Sequence, residues 1–340
     1  MTIDGHTDVL LQCVDADDPV AALRARDGGH LDIERARAAG VDAAFFAVFP
    51  PSPEMPDPVV DGDSYRYPFA PTPGFESARD SVHRMFALLH RADRALDGLR
   101  VVTTPEDLDA CADSAVVGAI PHLEGAEAVS PDLANLDFLY AAGLRSLGPV
   151  WSRPNDFGHG VPFQYPSDTD TGDGLTDAGR RLVRACDDRD ILVDGAHMNA
   201  ATLADTLTEL ASPMAVTHTA AHAVSPHSRN LTDDQLHAVA DAGGVVGLTF
   251  GASSYADRPD PHASASVHDI AAHAAHIADT VGVEHVALGS DFDGASLVDE
   301  LDDVTDLPLL VDALRDEGFD EADLSKILGE NWARLLRRVL

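Results

Sequence analysis

Residues 191–198 read Ile191-Leu192-Val193-Asp194-Gly195-Ala196-His197-Met198, and Met214-Ala215-Val216-Thr217-His218-Thr219 follows after the helix-patterned stretch Ala200–Leu210. Both apolar runs are short and rich in branched side chains, and both reach an imidazole at their ends. Two such runs joined by an amphipathic segment predict a parallel strand–helix–strand unit, its strands buried on both faces. Working outwards, the same unit recurs along the chain. Strands are expected at Ile3–Asp8, Val41–Phe49, Val116–Glu124, Leu144–Trp151, Ile191–Met198, Met214–Thr219, Val245–Phe250 and His285–Asp291. Helical periodicity fills the gaps at Asp32–Ala39, Phe75–Leu96, Leu133–Ala142, Thr176–Arg189, Ala200–Leu210, Thr232–Ala242 and Val267–Val281. Val304–Glu317 and Glu321–Val339 predict a closing helix pair. Gly40, Gly143, Gly243 and Gly282 stand where helices end before a strand, and Thr232 reads as an N-cap.

Eight strands alternating with helices predict a (β/α)8 barrel. A doubly wound open sheet would normally carry a Gly-rich phosphate turn after its first strand, and residues 8–20 have none. No linker, repeat or charge run divides the chain, so residues 1–340 are expected to form one barrel domain. Two irregular segments, about 50–73 and 153–174, follow the second and fourth strands. Segments after barrel strands lie at the catalytic mouth, so both are candidate walls of a substrate pocket.

Composition narrows the function. Of 340 residues, 45% are apolar and 24% charged, which suits a globular core and excludes intrinsic disorder or a disulfide scaffold. The net charge of −35 disfavours binding to nucleic acid or to an anionic membrane surface. Lys326 is the only lysine, and an acidic, lysine-poor surface suits a halophilic cytoplasm. No apolar run approaches a membrane span, and the first residues show no secretory signal, so the expected location is cytoplasmic. Cys13, Cys111 and Cys186 share no CxxC spacing and read as small buried hydrophobes.

Ionisable residues gather at the predicted strand ends. The first strand closes on His6-Thr7-Asp8, and residues two apart on a strand share a face. The third closes on Pro121-His122-Leu123-Glu124-Gly125, where a carboxylate after an apolar run needs a cation or a donor; His122 shares its face and is a rival ligand. The fifth and sixth end in His197 and His218. The eighth ends in Gly289-Ser290-Asp291-Phe292-Asp293-Gly294, with Asp291 suited either to ligation or to proton transfer and Asp293 to a turn or cap. Arg229, in the segment after the sixth strand, suits a substrate carboxylate or an internal ion pair. His222 and His227 read as loop braces. His268, His273 and His276 lie on one predicted helix and are expected to face solvent. Three imidazoles and two carboxylates (His6, Asp8, Glu124, His197, His218) exceed the usual three ligands of one open catalytic zinc and suit two divalent ions.

The runs Asp4-Gly5-His6-Thr7-Asp8, His122-Leu123-Glu124-Gly125, Val193-Asp194-Gly195-Ala196-His197, Thr217-His218-Thr219-Ala220-Ala221-His222-Ala223, Arg229-Asn230-Leu231-Thr232 and Gly289-Ser290-Asp291-Phe292-Asp293-Gly294 resemble the renal (membrane) dipeptidase family, peptidase family M19, in its soluble microbial branch. The resemblance covers nearly the whole chain. It implies a (β/α)8 barrel similar to the amidohydrolases and hydrolysis of dipeptides by hydroxide held between two ions, zincs in the family pattern, with manganese or cobalt also accepted by such ligands. It further implies that His6 and Asp8 hold one ion, His197 and His218 the other, and Glu124 both. Asp291 would be the acid/base and Arg229 the site of the substrate's terminal carboxylate, with a C-terminal D-residue among the admissible substrates. A homodimer is the family expectation. Where some members carry a substrate-contacting histidine at the end of the fourth strand, this chain has Trp151, and His159 in the following loop is the candidate substitute. Rival readings are an N-acyl amino acid deacylase or lactamase on the same scaffold, or a barrel that binds metal or peptide without turnover.

Overall fold

The computed structural model describes residues 1–112, 114–256 and 258–340. Twelve strands occur among the described residues: β1 (Ile3–Thr7), β2 (Ala43–Val48), β3 (Val59–Asp61), β4 (Ser64–Arg66), β5 (Leu99–Val101), β6 (Val117–Glu124), β7 (Ser146–Gly148), β8 (Gln164–Tyr165), β9 (Leu192–Val193), β10 (Ala215–Thr219), β11 (Val245–Leu248) and β12 (Val286–Leu288). Eight of them follow the parallel order β10-β11-β12-β1-β2-β6-β7-β9. A parallel bridge between Asp194 and Ala215 joins the last to the first, so the sheet curls into a nearly closed (β/α)8 barrel as expected. The extra strand β5 pairs with the start of β6, along 117–119, while β7 takes its end, along 122–124.

The helices stand where the periodicity places them, and the four glycines expected to end them all have positive φ, from 75° to 106°. Thr232 caps Asp233–Asp241 in a full capping box with Gln235. The short helices Val9–Cys13, Pro19–Arg24 and Pro105–Ala112 are additional to the sequence reading. Cys13, Cys111 and Cys186 are free and buried. Among the described residues no helix is long and apolar enough to cross a membrane.

One core lies between the sheet and the helices, and a second fills the lower barrel interior with Ile3, Ala43, Phe45, Ile120, Leu192 and Trp332. Trp332 comes from the last helix (Asn331–Val339) and plugs the barrel floor. Its indole donates to the Leu288 carbonyl at 2.8 Å, and its ring lies 5.1 Å from Phe45. Gly5 makes room for it: a Cβ there would sit 2.7 Å from the Trp332 ring and 2.6 Å from the Thr217 carbonyl.

The two long segments are not simple solvated excursions. They fold back as a three-stranded antiparallel sheet in the order β3-β4-β8. Arg153 ties them together: it pairs with Glu127 at 2.8 Å and donates to Ser52 Oγ at 2.7 Å and the Pro50 carbonyl at 2.8 Å. The helix carrying His268, His273 and His276 requires a correction. His273 is buried, accepting the Ala221 amide at 3.0 Å through Nδ1 with Tyr255 edge-on at 4.7 Å. It falls on the inner stripe between Ile270 and Ile277, the helical spacing that turns a side chain to the core. His268 is exposed beside Asp316, and His276 is half-buried beside Asp233.

Because the interior core closes on one indole, Trp332→Ala should leave a large void beneath the site. The expected loss is about 3–5 kcal/mol of unfolding free energy, measured by chemical denaturation, with the fold retained by circular dichroism.

Candidate active site

Period-two alternation does not by itself aim the site residues inwards. Ile3 belongs to the interior core and Gly5 abuts Trp332, so strict alternation would turn His6 away. The pairing of β1 with β2 shifts register between Asp4 and Thr7 and re-aims His6. The same device serves β10: Ala215 is interior, and a register shift between Val216 and Thr219 turns His218 to the mouth. Glu124 needs no such help, since Ile120, His122 and Glu124 alternate regularly along β6. His197 and Asp291 follow their strands in left-handed backbone, at φ 65° and 62°. Such conformations are costly for residues other than glycine and persist where surrounding contacts over-determine them. The Asp291 amide donates to the His6 carbonyl at 3.1 Å, and the His197 carbonyl accepts the Val161 amide at 2.8 Å.

The five proposed ligands and Asp291 converge above the barrel interior. Three overlapping groups have ligand atoms within 4.8 Å of one another: His6, Asp8 and Glu124; Glu124, His197 and His218; and His6, His218 and Asp291. Glu124 spans them. One of its oxygens lies 2.9 Å from His197 Nε2 and 3.6 Å from His218 Nε2, the other 3.7 Å from His6 Nε2. His6 Nε2 is also 3.4 Å from Asp8 and 4.0 Å from Asp291.

The imidazoles are held from behind. Ser152 Oγ meets His197 Nδ1 at 2.7 Å and Thr217 Oγ1 meets His218 Nδ1 at 3.0 Å, which leaves each Nε2 facing the cluster. Asp194 accepts the Thr217 amide and hydroxyl at 2.8 and 2.7 Å, so a buried carboxylate steadies the His218 support. His122 is no member of the three groups. It packs edge-on against His6 at 5.6 Å, and its Nδ1 meets Ser146 Oγ at 3.0 Å.

The electrostatics fit divalent cations. His6 Nδ1, His6 Nε2 and Asp8 Oδ1 are buried without a hydrogen-bond partner among the described residues. Burial first, then the charges of Arg229 and His6, holds His197 well below the ordinary histidine range; burial and His6 do the same to His218. Neutral imidazole is the metal-binding form. Burial, reinforced by Asp8 and Asp291, pushes Glu124 well above the usual carboxylate range, and burial brings Asp291 up to about 7. Burial opposes charge on His6, yet Glu124, Asp8 and Asp291 raise it to about 10. The protein field thus calls for positive charge at this point, and the chemistry of the donors suits a hard or borderline metal ion.

A cavity of about 670 Å³ opens over the cluster, lined by Asp8, Glu124, His197, His218, Arg229 and Asp291 at its base. Arg229 is buried, its Nη2 donating to the His218 carbonyl at 3.2 Å and lying 3.4 Å from His197 Nε2. Burial lowers its pKa only to about 10, so it stays cationic at neutral pH. His227 and His222 brace the loop as expected: His227 Nδ1 accepts the Arg229 amide at 3.1 Å, and His222 Nε2 meets the Ser167 carbonyl at 2.7 Å. Asp293 forms a left-handed turn whose carboxylate pairs with Arg26 and accepts the His30 amide at 2.8 Å. His159 stands apart from the cavity lining, its Nδ1 accepting the Asp173 amide at 3.1 Å. Trp151 occupies the wall at the end of the fourth barrel strand.

Sequence reasoning missed the third wall, supplied by Gly251–Ser254 and Pro261–Ser264 after β11. Position after a barrel strand was the available signal. It also passed over Asp194, although a carboxylate after an apolar run was the argument used for Glu124.

A (β/α)8 barrel with imidazoles and carboxylates gathered at the C-terminal ends of its strands is the arrangement of a metal-dependent hydrolase. The sequence matches the membrane dipeptidase family, peptidase family M19, over residues 1–340. A solved metallo peptidase from Rhodobacter sphaeroides, liganded with a phosphinate mimic of the dipeptide L-Ala-D-Ala, is 38% identical with a TM-score of 0.93, covering 100% of this chain and 99% of that one. The dipeptidase AC, a metallo peptidase of family M19, is 39% identical with a TM-score of 0.92 over 99% and 98% of the two chains. An uncharacterized protein encoded in the pqqA 5' region of Klebsiella pneumoniae is 40% identical over 252 residues, which is 74% of this chain and 92% of the relative. The chain belongs to peptidase family M19 and is a metal-dependent dipeptidase.

Gly294 lies against both acidic groups, and a Cβ there would collide with the Asp8 and Asp291 carboxylates. Both contacts are side-chain oxygens rather than backbone, so Gly294→Ala should fold with a near-normal melting temperature while displacing the Asp8 and Asp291 carboxylates. A fall of about a hundredfold in kcat/KM on a dipeptide is expected, read beside a thermal melt of the same sample.

Proposed function

We propose that the chain hydrolyses dipeptides with two divalent ions, zinc first among the candidates, held by His6 and Asp8 on one side and His197 and His218 on the other. The observation that carries this reading is the position of Glu124, which offers one oxygen to each side. When bound, such a pair of ions lowers the pKa of water and polarises an amide carbonyl. The remaining work falls to side chains of the chain itself. Arg229 receives the terminal carboxylate of the dipeptide, an attraction needed in a protein of net charge −35. Asp291, beside His6 and open to the cavity, takes the proton of the attacking water and passes it to the departing amine. The β3-β4-β8 sheet covers the mouth and limits the length of peptide admitted. Dipeptides with a C-terminal D-residue are included in the proposed range, supported by the dipeptide mimic in the Rhodobacter relative.

Elemental analysis and a dipeptide panel on one high-salt preparation test the proposal. Two equivalents of metal per chain are expected, with activity lost to chelator and restored by metal. Asp291→Ala should keep both equivalents and lose at least about a hundredfold in kcat. One equivalent at full activity would exclude the two-ion arrangement, and full activity of the variant would remove Asp291 from proton transfer. Acylated amino acids and lactams in the same panel separate the deacylase and lactamase readings.

A further inference from the structure

The cavity has two unlike halves. Around Arg229 and His197 its wall is aromatic. Trp151 lies 5.5 Å from the His197 ring and Phe163 6.2 Å from it, and the two rings meet edge-on at 5.6 Å. Tyr65 stands 6.2 Å from His227, whose Nδ1 accepts the Arg229 amide. Around Asp8 and Asp291 the wall is made of smaller and aliphatic or polar residues: Gly294 abuts both carboxylates, Gly251 packs on Ala295, and Leu11, Gln12 and Ser296 add to the lining.

The aromatic half is also rigid. Phe49 meets Trp151 at 5.3 Å, and the Arg153 guanidinium lies over the indole at 4.9 Å. Arg153 is itself fully buried and fixed by Glu127, Ser52 and the Pro50 carbonyl. A wall that cannot collapse or swing away converts apolar contact into selectivity, because a poorly filling side chain leaves surface uncovered.

Resting on the dipeptidase reading, in which Arg229 takes the terminal carboxylate, we propose that Trp151 and Phe163 form the side-chain pocket for the C-terminal residue. That residue is tied to Arg229 through its own carboxylate, and Arg229 Nη2 is 3.4 Å from the imidazole against which both rings pack. The enzyme therefore selects large apolar side chains at the C-terminal position. The N-terminal residue lies over the acidic half, beside Gly294 and Ala295, and is discriminated less by apolar contact than the residue held by the aromatic pair.

Two dipeptide series test this on the metal-loaded enzyme, with both stereoisomers of the varied residue: Ala-Gly, Ala-Ala and Ala-Leu against Gly-Ala, Ala-Ala and Leu-Ala. The ratio of kcat/KM for Ala-Leu over Ala-Gly should be about tenfold or more, and larger than Leu-Ala over Gly-Ala. Trp151→Ala should bring the first ratio towards one through KM, whereas Trp151→Phe should preserve most of it. A purely structural role would lower both members equally and keep the ratio. Phe163→Ala, expected to lower the same ratio, serves if Trp151→Ala does not fold. A flat first series, a steeper second series, or ratios unmoved by both alanine variants would overturn the proposal. Hydrolysis of no dipeptide by the unsubstituted enzyme would overturn the dipeptidase reading itself, and this inference with it.

Discussion

A buried carboxylate without enough donors is the constraint around which this molecule is organised. Glu124 is 4% exposed and faces three imidazoles, with Asp8 and Asp291 close by. Taken alone, such a gathering is unfavourable, since each charge has left water and like charges repel. Bound positive charge resolves it, and the elevated proton affinity of His6 shows the strength of the demand. Stability and chemistry are coupled here: the groups whose burial is costly without a cation are those that would hold and use one.

The barrel meets this demand by departures from regularity at the ends of its strands. Two register shifts swing His6 and His218 towards the mouth, and two left-handed residues do the same for His197 and Asp291. Below them, alternation is regular and the interior is packed with aliphatic side chains and one indole. The division follows from the different needs of the two levels. Packing density favours uniform geometry, whereas a ligand cluster needs side chains from separate strands to point at common positions.

The covering loops add a second level of order. The antiparallel sheet β3-β4-β8 unites the segments that follow the second and fourth barrel strands, and it is joined to the Arg229 loop through backbone and hydroxyl bonds between Gln164 and Ser228 at 2.9 and 3.0 Å. Arg229, the proposed carboxylate site, is thereby part of the same hydrogen-bonded unit as that sheet. Arg153 and Glu127 fasten the other side, so the cavity walls are braced from beneath rather than left to solvent.

The alternation of apolar runs and helical periods, with glycines at the helix ends, was enough to identify the barrel, because each signal arises within one element. The clustered residues were legible for a related reason: a histidine or carboxylate closing an apolar strand has few inexpensive fates, and that argument picked out His6, Glu124, His197, His218 and Asp291, which the structure brings together. What local pattern could not supply was direction. Period two would have turned His6 and His218 away, and it could not separate His122, which packs from the side, from Glu124, which stands within the cluster. Nor could it place His273 in the core, since that depended on which stripe of its helix met the sheet. The aromatic wall, the lid sheet and the Arg153 clamp were decided by tertiary structure alone. They join segments distant along the chain, and their residues carry no periodicity, because their positions are set by contacts that exist only once the barrel has closed.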